Sequence, residues 1–110
     1  AAPQLDDAAT PPLGCAPAPV QDYRLVATFP HDPRAFTQGL ALVDGVLYEG
    51  TGLNGRSSLR EVDLETGTVV RSRPLPERHF GEGIAVLGER VYQLTWTSER
   101  CFVYARDTFE

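Results

Sequence analysis

The chain has 110 residues and a net charge of −5, and all ten of its basic residues are arginine. Because these arginines do not gather into a basic stripe, the sequence predicts no nucleic-acid partner. No apolar run approaches the roughly 20 residues that a membrane-spanning helix needs, so no membrane span is predicted either.

The first 22 residues are rich in alanine, proline and acidic residues and contain little that could be buried. This composition predicts a disordered leader over residues 1–22, followed by a folded domain over residues 23–110. The chain starts at Ala1 rather than at a methionine, which is consistent with an upstream signal peptide that has been removed.

The two cysteines, Cys15 and Cys101, lie far apart in the sequence. An exported protein permits a disulfide between them, which would tie the leader to the folded domain. The alternative is a pair of unrelated thiols, and sequence alone does not decide between the two.

Short strands are predicted along the rest of the chain. Residues 23–29 alternate between apolar and polar side chains, and the prolines that follow end this strand. Residues 39–43 form a continuous apolar run, which indicates a strand buried on both faces, and Asp44-Gly45 predicts a tight hairpin turn. Further strands are predicted over residues 46–49, 58–63, 68–72, 84–87, 91–95 and 101–105.

The sequence repeats itself about every 44 residues: residues 36–43 (FTQGLALV) correspond to residues 80–87 (FGEGIAVL). A period of this length with four short strands per unit is typical of a β-propeller blade, so the fold is predicted to be all-β. Closed propellers have 4–8 blades, and we expect this chain to hold about the first two, with the remaining blades supplied by a C-terminal part or by another chain. The strand over residues 23–29 would close the ring against the last blade.

The repeat places Gln38 and Glu82 at corresponding positions, just before the innermost strand of each blade. Two polar side chains are therefore expected to meet at one end of the central channel. Glu82 stands between two glycines, which leave its carboxyl free to point into a cavity and to act as a general acid or base. Gln38 can both donate and accept hydrogen bonds to a ligand. The alternatives are an ordinary loop glutamate and a glutamine that satisfies loop backbone.

Aromatic residues accompany both positions. Phe36 and Phe80 precede them, and Trp96, the single tryptophan, follows the strand over residues 91–95. Trp96 either stacks on a ligand or packs between blades. His31 and His79 each stand without the spaced cluster of His, Cys and carboxylate residues that a metal site needs, so neither a metal nor a cofactor is predicted.

Five stretches in order carry a resemblance to a known family: residues 36–40 (FTQGL), 47–49 (LYE), 57–60 (SSLR), 80–83 (FGEG) and 93–96 (QLTW). Over residues 23–110 the chain resembles the plant- and bacterial-type glutaminyl-peptide cyclotransferases, also called glutamine cyclotransferases. The resemblance implies a five-bladed propeller of secreted or periplasmic proteins. It also implies conversion of the N-terminal glutamine of peptides or proteins to pyroglutamate, with release of ammonia.

The resemblance further implies roles for individual residues. Glu82 matches the catalytic glutamate of the family, and four residues match the lining of its substrate pocket: Phe36, Gln38, Phe80 and Trp96. An asparagine, a lysine and further tryptophans would come from later blades. Propellers host many functions, so a non-catalytic module that binds a peptide or small ligand at the channel mouth is the alternative. A purely structural strand-rich fragment is a third possibility.

Overall fold

Seven β-strands form two antiparallel sheets in the computed structural model, which describes residues 14–110. Each strand pairs with the next along the chain, in the orders β1-β2-β3-β4 and β5-β6-β7. The strands are β1 (Thr37–Val43), β2 (Val46–Thr51), β3 (Ser58–Val62), β4 (Val69–Pro74), β5 (Gly81–Leu87), β6 (Arg90–Thr95) and β7 (Cys101–Ala105). The described residues contain no helix, and the all-β prediction is confirmed.

The turn between β1 and β2 follows directly from the local sequence. Asp44 and Gly45 both have positive φ, 51° and 77°, as the central residues of a type I′ turn require. Aspartate and glycine are among the residues that adopt this conformation most readily. The chain therefore reverses within two residues, and Val43 pairs with Val46 at the start of the ladder.

The second sheet packs against the first where the first carries glycine. A Cβ atom added at Gly50 in β2 would lie 2.6 Å from Ile84 Cγ2 and 3.0 Å from the main-chain oxygen of Glu82. Only a residue without a side chain permits this approach of β5. Farther along the interface the buried core consists of apolar and aromatic residues: Tyr48, Leu59, Val91, Tyr104 and Phe109.

Two arginines of β4 hold the last residues of the chain against this core. The Arg71 guanidinium lies 3.7 Å above the centre of the Phe109 ring and donates to the carbonyl of Arg106 at 2.6 Å. Arg73 donates to the carbonyl of Phe109 at 2.7 Å. The first sheet thus contacts the second sheet through β1 and β2, and it contacts the residues that follow β7 through β4.

The structure differs from the sequence predictions in two strands. Residues 23–29 form no strand and are exposed, because no strand edge in the described chain pairs with them. β1 is not buried on both faces: Leu40 and Leu42 are 59% and 60% exposed, since the second sheet covers only the opposite face.

The leader prediction falls partly on residues 1–13, which lie outside the described residues, while residues 14–22 form no strand or helix. Cys15 and Cys101 carry free, exposed thiols.

Candidate active site

The pairing register is interrupted at the same place in both sheets. In the first sheet Thr37 pairs with Thr51 and Gly39 with Gly50, which leaves Gln38 in a bulge. In the second sheet Gly81 pairs with Thr95 and Ile84 with Gln93, which leaves Glu82 and Gly83 in the corresponding bulge. Bulges redirect side chains out of the regular alternation of a strand and are frequent beside active sites. The predicted correspondence of Gln38 and Glu82 is therefore confirmed by the register.

The starts of β1 and β5 lie at the same end of the molecule. A Cβ atom added at Gly39 would lie 3.0 Å from the Cα of Gly83, and the rings of Phe36 and Phe80 are in contact. Both Gln38 and Glu82 lie within these two strand starts. Each side chain is half-buried, and neither makes a side-chain hydrogen bond or ion pair with another residue of the described chain. Both are therefore available to a ligand.

One main-chain hydrogen bond is repeated beside the two bulges. Gly52 donates its N–H to the carbonyl of Phe36 at 2.8 Å, and Trp96 donates to the carbonyl of Phe80 at 2.9 Å. In the first sheet the bond joins the residue after β2 to the residue before β1. In the second sheet it joins the residue after β6 to the residue before β5. The positions of both phenylalanines and of Trp96 are therefore set by backbone that repeats from one sheet to the next.

Phe36, Phe80 and Trp96 form a continuous aromatic row. The ring centres of Phe36 and Phe80 are 5.9 Å apart, and those of Phe80 and Trp96 are 5.6 Å apart, both in edge-to-face geometry. This geometry is the favourable one for aromatic pairs. Phe36 is 47% and Trp96 60% exposed, so the row presents open aromatic surface to solvent. The structure thus brings three of the four predicted pocket residues into one contiguous wall.

The central ring of the row is fixed by a glycine. A Cβ atom added at Gly52 would overlap Phe80 Cε1 and would lie 2.9 Å from the carbonyl oxygen of Gly81. The Phe80 ring therefore rests directly on the backbone of the loop that follows β2. An aromatic wall on the strand starts that also carry Gln38 and Glu82 can hold a compact ligand that has both apolar and polar parts.

Each of the two histidines contacts a polar side chain of the described chain. His79 is buried, and its Nδ1 lies 2.9 Å from Ser98 Oγ while its ring packs edge-on against Phe102. His31 Nε2 lies 2.9 Å from Glu49 Oε1. Residues 14–110 contain no cluster of three or more His, Cys, Asp or Glu side chains able to hold a metal ion.

Two buried polar residues were missed by the reasoning from sequence. Glu49 and Gln93 occupy corresponding positions of the repeat, and each is fully buried. Gln93 donates to the main-chain carbonyl of Ser58 at 3.0 Å, whereas Glu49 accepts a hydrogen bond from Thr37 Oγ1 at 2.6 Å. The available signal was a polar residue at the same place in two otherwise apolar strands.

Comparison with known proteins agrees with this geometry. A family model described as glutamine cyclotransferase matches residues 2–110. The chain belongs to the glutamine cyclotransferase family. The match covers both bulges and the whole aromatic row, so the family resemblance of the sequence is confirmed.

Two relatives illustrate the extent of the similarity within the family. Over 86 residues the chain is 46% identical to a glutaminyl-peptide cyclotransferase of Arabidopsis thaliana, a stretch that covers 77% of this chain and 27% of the relative. The crystal structure of Myxococcus xanthus glutaminyl cyclase matches with a TM-score of 0.66 and 38% identity, covering 74% of this chain and 34% of that one. The chain thus spans about a third or less of the relatives it matches. No helix of residues 14–110 has the length and hydropathy to cross a membrane.

Proposed function

We propose that this protein converts the N-terminal glutamine of peptides or proteins to pyroglutamate and releases ammonia. The observation that carries the proposal is the aromatic row Phe36–Phe80–Trp96 beside the two bulge residues Gln38 and Glu82. Membership of the glutamine cyclotransferase family and the identity to the Arabidopsis thaliana relative support it.

We also propose that the two sheets are the first two blades of a five-bladed propeller. The repeated register, the repeated main-chain bond and the small share of its relatives that the chain covers support this architecture. The exposed Leu40 and Leu42 on β1 would face the last blade, which would also pair with residues 23–29. Later blades would supply the remaining groups of the site. A secreted or periplasmic location is a further proposal, taken from the family resemblance.

The proposed reaction is intramolecular. The substrate's α-amine attacks the carbon of its own side-chain amide, a new C–N bond closes a five-membered lactam, and the original amide C–N bond breaks to release ammonia. Because both reacting groups belong to one residue, much of the entropic cost of bringing them together is already met. The protein must hold the folded conformer and manage the protons.

Glu82 is proposed to carry the proton transfers. Its carboxylate takes a proton from the attacking amine and gives one to the departing nitrogen, which leaves as ammonia. Gln38, in the corresponding bulge, is proposed to orient the amine or the amide through its own donor and acceptor. The three aromatic rings would favour the compact, uncharged conformer of the substrate. Donors from other blades would stabilise the developing charge on the carbonyl oxygen.

The test uses the complete protein and a short peptide that begins with glutamine, with ammonia release as the measurement. Glu82→Gln should lower kcat by about 100-fold or more, the range for loss of a general acid or base. Glu89→Gln, in the exposed turn after β5, is the matched control and should retain the activity. An unchanged rate in Glu82→Gln would remove Glu82 from its role. Peptide binding without any ammonia release would favour a non-catalytic module.

A further inference from the structure

Glu49 of β2 is a fully buried carboxylate that the proposed reaction does not use. Its Oε1 accepts a hydrogen bond from Thr37 Oγ1 at 2.6 Å and lies 2.9 Å from His31 Nε2. Its Oε2 is also buried and has no hydrogen-bond partner among the described residues. Burial of a carboxylate is unfavourable unless specific partners compensate for the lost water. The two contacts of Oε1, with Thr37 and His31, are the partners that compensate for the burial of Glu49.

The repeat shows what this position does elsewhere in the molecule. Gln93, the corresponding residue of β6, reaches out of its own sheet to the carbonyl of Ser58. A carboxylate cannot donate to a carbonyl, so Glu49 cannot make the same bond to a neighbouring sheet. Instead, Glu49 contacts Thr37 at the start of β1 and His31 in the segment before it. At this buried position, Gln93 joins the two sheets, whereas Glu49 holds the segment that leads into β1.

Both partners of Glu49 belong to the segment that carries the site. Thr37 lies between Phe36 and Gln38, so its hydroxyl anchors the backbone from which both of these side chains extend. His31 lies at the other end of the same segment. Its neighbour Asp32 is paired with Arg60 of β3 at 3.0 Å and accepts the N–H of Arg34 at 2.9 Å. The segment over residues 31–38 is therefore held to β2 and β3 by side-chain contacts at both ends.

We propose that Glu49 is a positioning residue of the active site, which acts through Thr37 to hold Phe36 and Gln38 in place for substrate. The inference rests on the proposed function, because its effect is read in substrate binding. Glu49 is too deeply buried to touch the substrate itself. Loss of its bond to Thr37 should therefore weaken the binding of the N-terminal glutamine while leaving the proton transfers of Glu82 intact.

The first experiment compares Thr37→Val with Thr37→Ser in the complete protein. Valine has the shape of threonine without the hydroxyl, whereas serine keeps the hydroxyl that donates to Glu49. We expect Thr37→Val to raise KM for a glutamine peptide about five- to tenfold with kcat within about twofold of wild type, the pattern of lost uniform binding. Thr37→Ser should restore KM to within about twofold of wild type.

The second experiment tests whether Glu49 and Thr37 act through one contact. Glu49→Ala should raise KM to a similar degree, and the double variant Glu49→Ala/Thr37→Val should be no worse than the poorer single variant. If the two substitutions caused independent defects, their increases in KM would multiply in the double variant instead. Glu61→Ala is the matched control, because Glu61 is a half-buried glutamate of β3 whose carboxylate pairs with Arg71 Nε at 2.5 Å. It should lower the melting temperature without changing KM.

The outcomes separate the inference from the proposed function. Three results would overturn the positioning role and leave the proposed function standing. They are a wild-type KM in Thr37→Val, equal KM values for the valine and serine variants, and effects on KM that multiply in the double variant. Absence of ammonia release from the wild-type protein would overturn both. If Glu49→Ala does not fold, the Thr37 pair alone decides, since that substitution conserves shape.

Discussion

The side chain of Gln93 crosses from β6 to the first sheet and donates from Nε2 to the main-chain carbonyl of Ser58, at 3.0 Å. Its Oε1 accepts the hydroxyl of Tyr104 at 3.1 Å. Both polar ends of this fully buried amide are therefore paired, and a single residue links a strand of each sheet. The contact lies beside Gly50 and Gly81, where the absence of side chains leaves room for the Gln93 amide.

Replacement of Gln93 by methionine should destabilise the protein because methionine keeps the length of the side chain but offers neither the donor nor the acceptor. The Ser58 carbonyl and the Tyr104 hydroxyl would lose their partner in a buried place. At about 1–3 kcal/mol for each buried group left unsatisfied, we expect the free energy of unfolding to fall by about 2–4 kcal/mol. Denaturant unfolding monitored by circular dichroism measures this. A loss below about 0.5 kcal/mol would mean that the link is not needed.

Gly52→Ala should disturb the aromatic row without touching any polar group of the site. The new methyl would meet the edge of the Phe80 ring and the carbonyl of Gly81, so the loop or the ring must move. We expect a loss of about 1–3 kcal/mol in the free energy of unfolding, typical of overpacking, together with a higher KM. Gly83→Ala is the control for stability, because a Cβ atom at that position meets nothing within 4 Å. Equal stability of the two variants would contradict the close approach.

Trp96→Ala should affect ligand binding more than folding. The indole is 60% exposed, and the main-chain bond from residue 96 to the carbonyl of Phe80 does not depend on the side chain. We expect the melting temperature to change little and KM for a glutamine peptide to rise about tenfold, as loss of an aromatic contact implies. Leu87→Ala, at the opposite end of β5 from Glu82, should leave KM unchanged. An unaltered KM in Trp96→Ala would remove the indole from the pocket.

Ionisation of Tyr104 should lower the stability of the folded protein at alkaline pH. Burial raises the pKa of Tyr104 to about 12, above its ordinary value of 10. The folded state therefore favours the neutral phenol, and this contribution is complete below pH 10 and is lost as the pH rises through about 12. Wild-type stability should fall across that interval. Tyr104→Phe, although less stable at pH 7 because Gln93 loses a donor, should show a flatter profile above pH 10. Parallel profiles for the two proteins would contradict the assignment.

Much of the fold could be predicted because its determinants are local. The Asp44-Gly45 turn and the repeated FTQGL and FGEG stretches fix where strands begin and which positions correspond. The aromatic row was predictable for the same reason, since Phe36 and Phe80 occupy one position of the repeat. The alternation in residues 23–29 could not show whether a strand edge stands beside them, because pairing depends on chain that is distant in sequence.

The contacts that sequence reasoning missed are those between distant segments. Glu49 reads as an ordinary strand glutamate until His31 and Thr37 are placed beside it. Likewise, the apolar run of β1 gives no indication that Leu40 lies on the open face while Ala41 packs against the core. Periodicity identifies which residues share a face of a strand, but the burial of that face depends on the neighbouring sheet.

The interruption of strand pairing at Gln38 and again at Glu82 has a consequence for how such a protein can change. Each copy of the unit places one polar side chain at the corresponding position through an interruption of strand pairing. A substitution at Gln38 or Glu82 would then change the functional group at the site without changing the pairing of the strands. New specificities could arise copy by copy, with the scaffold left untouched.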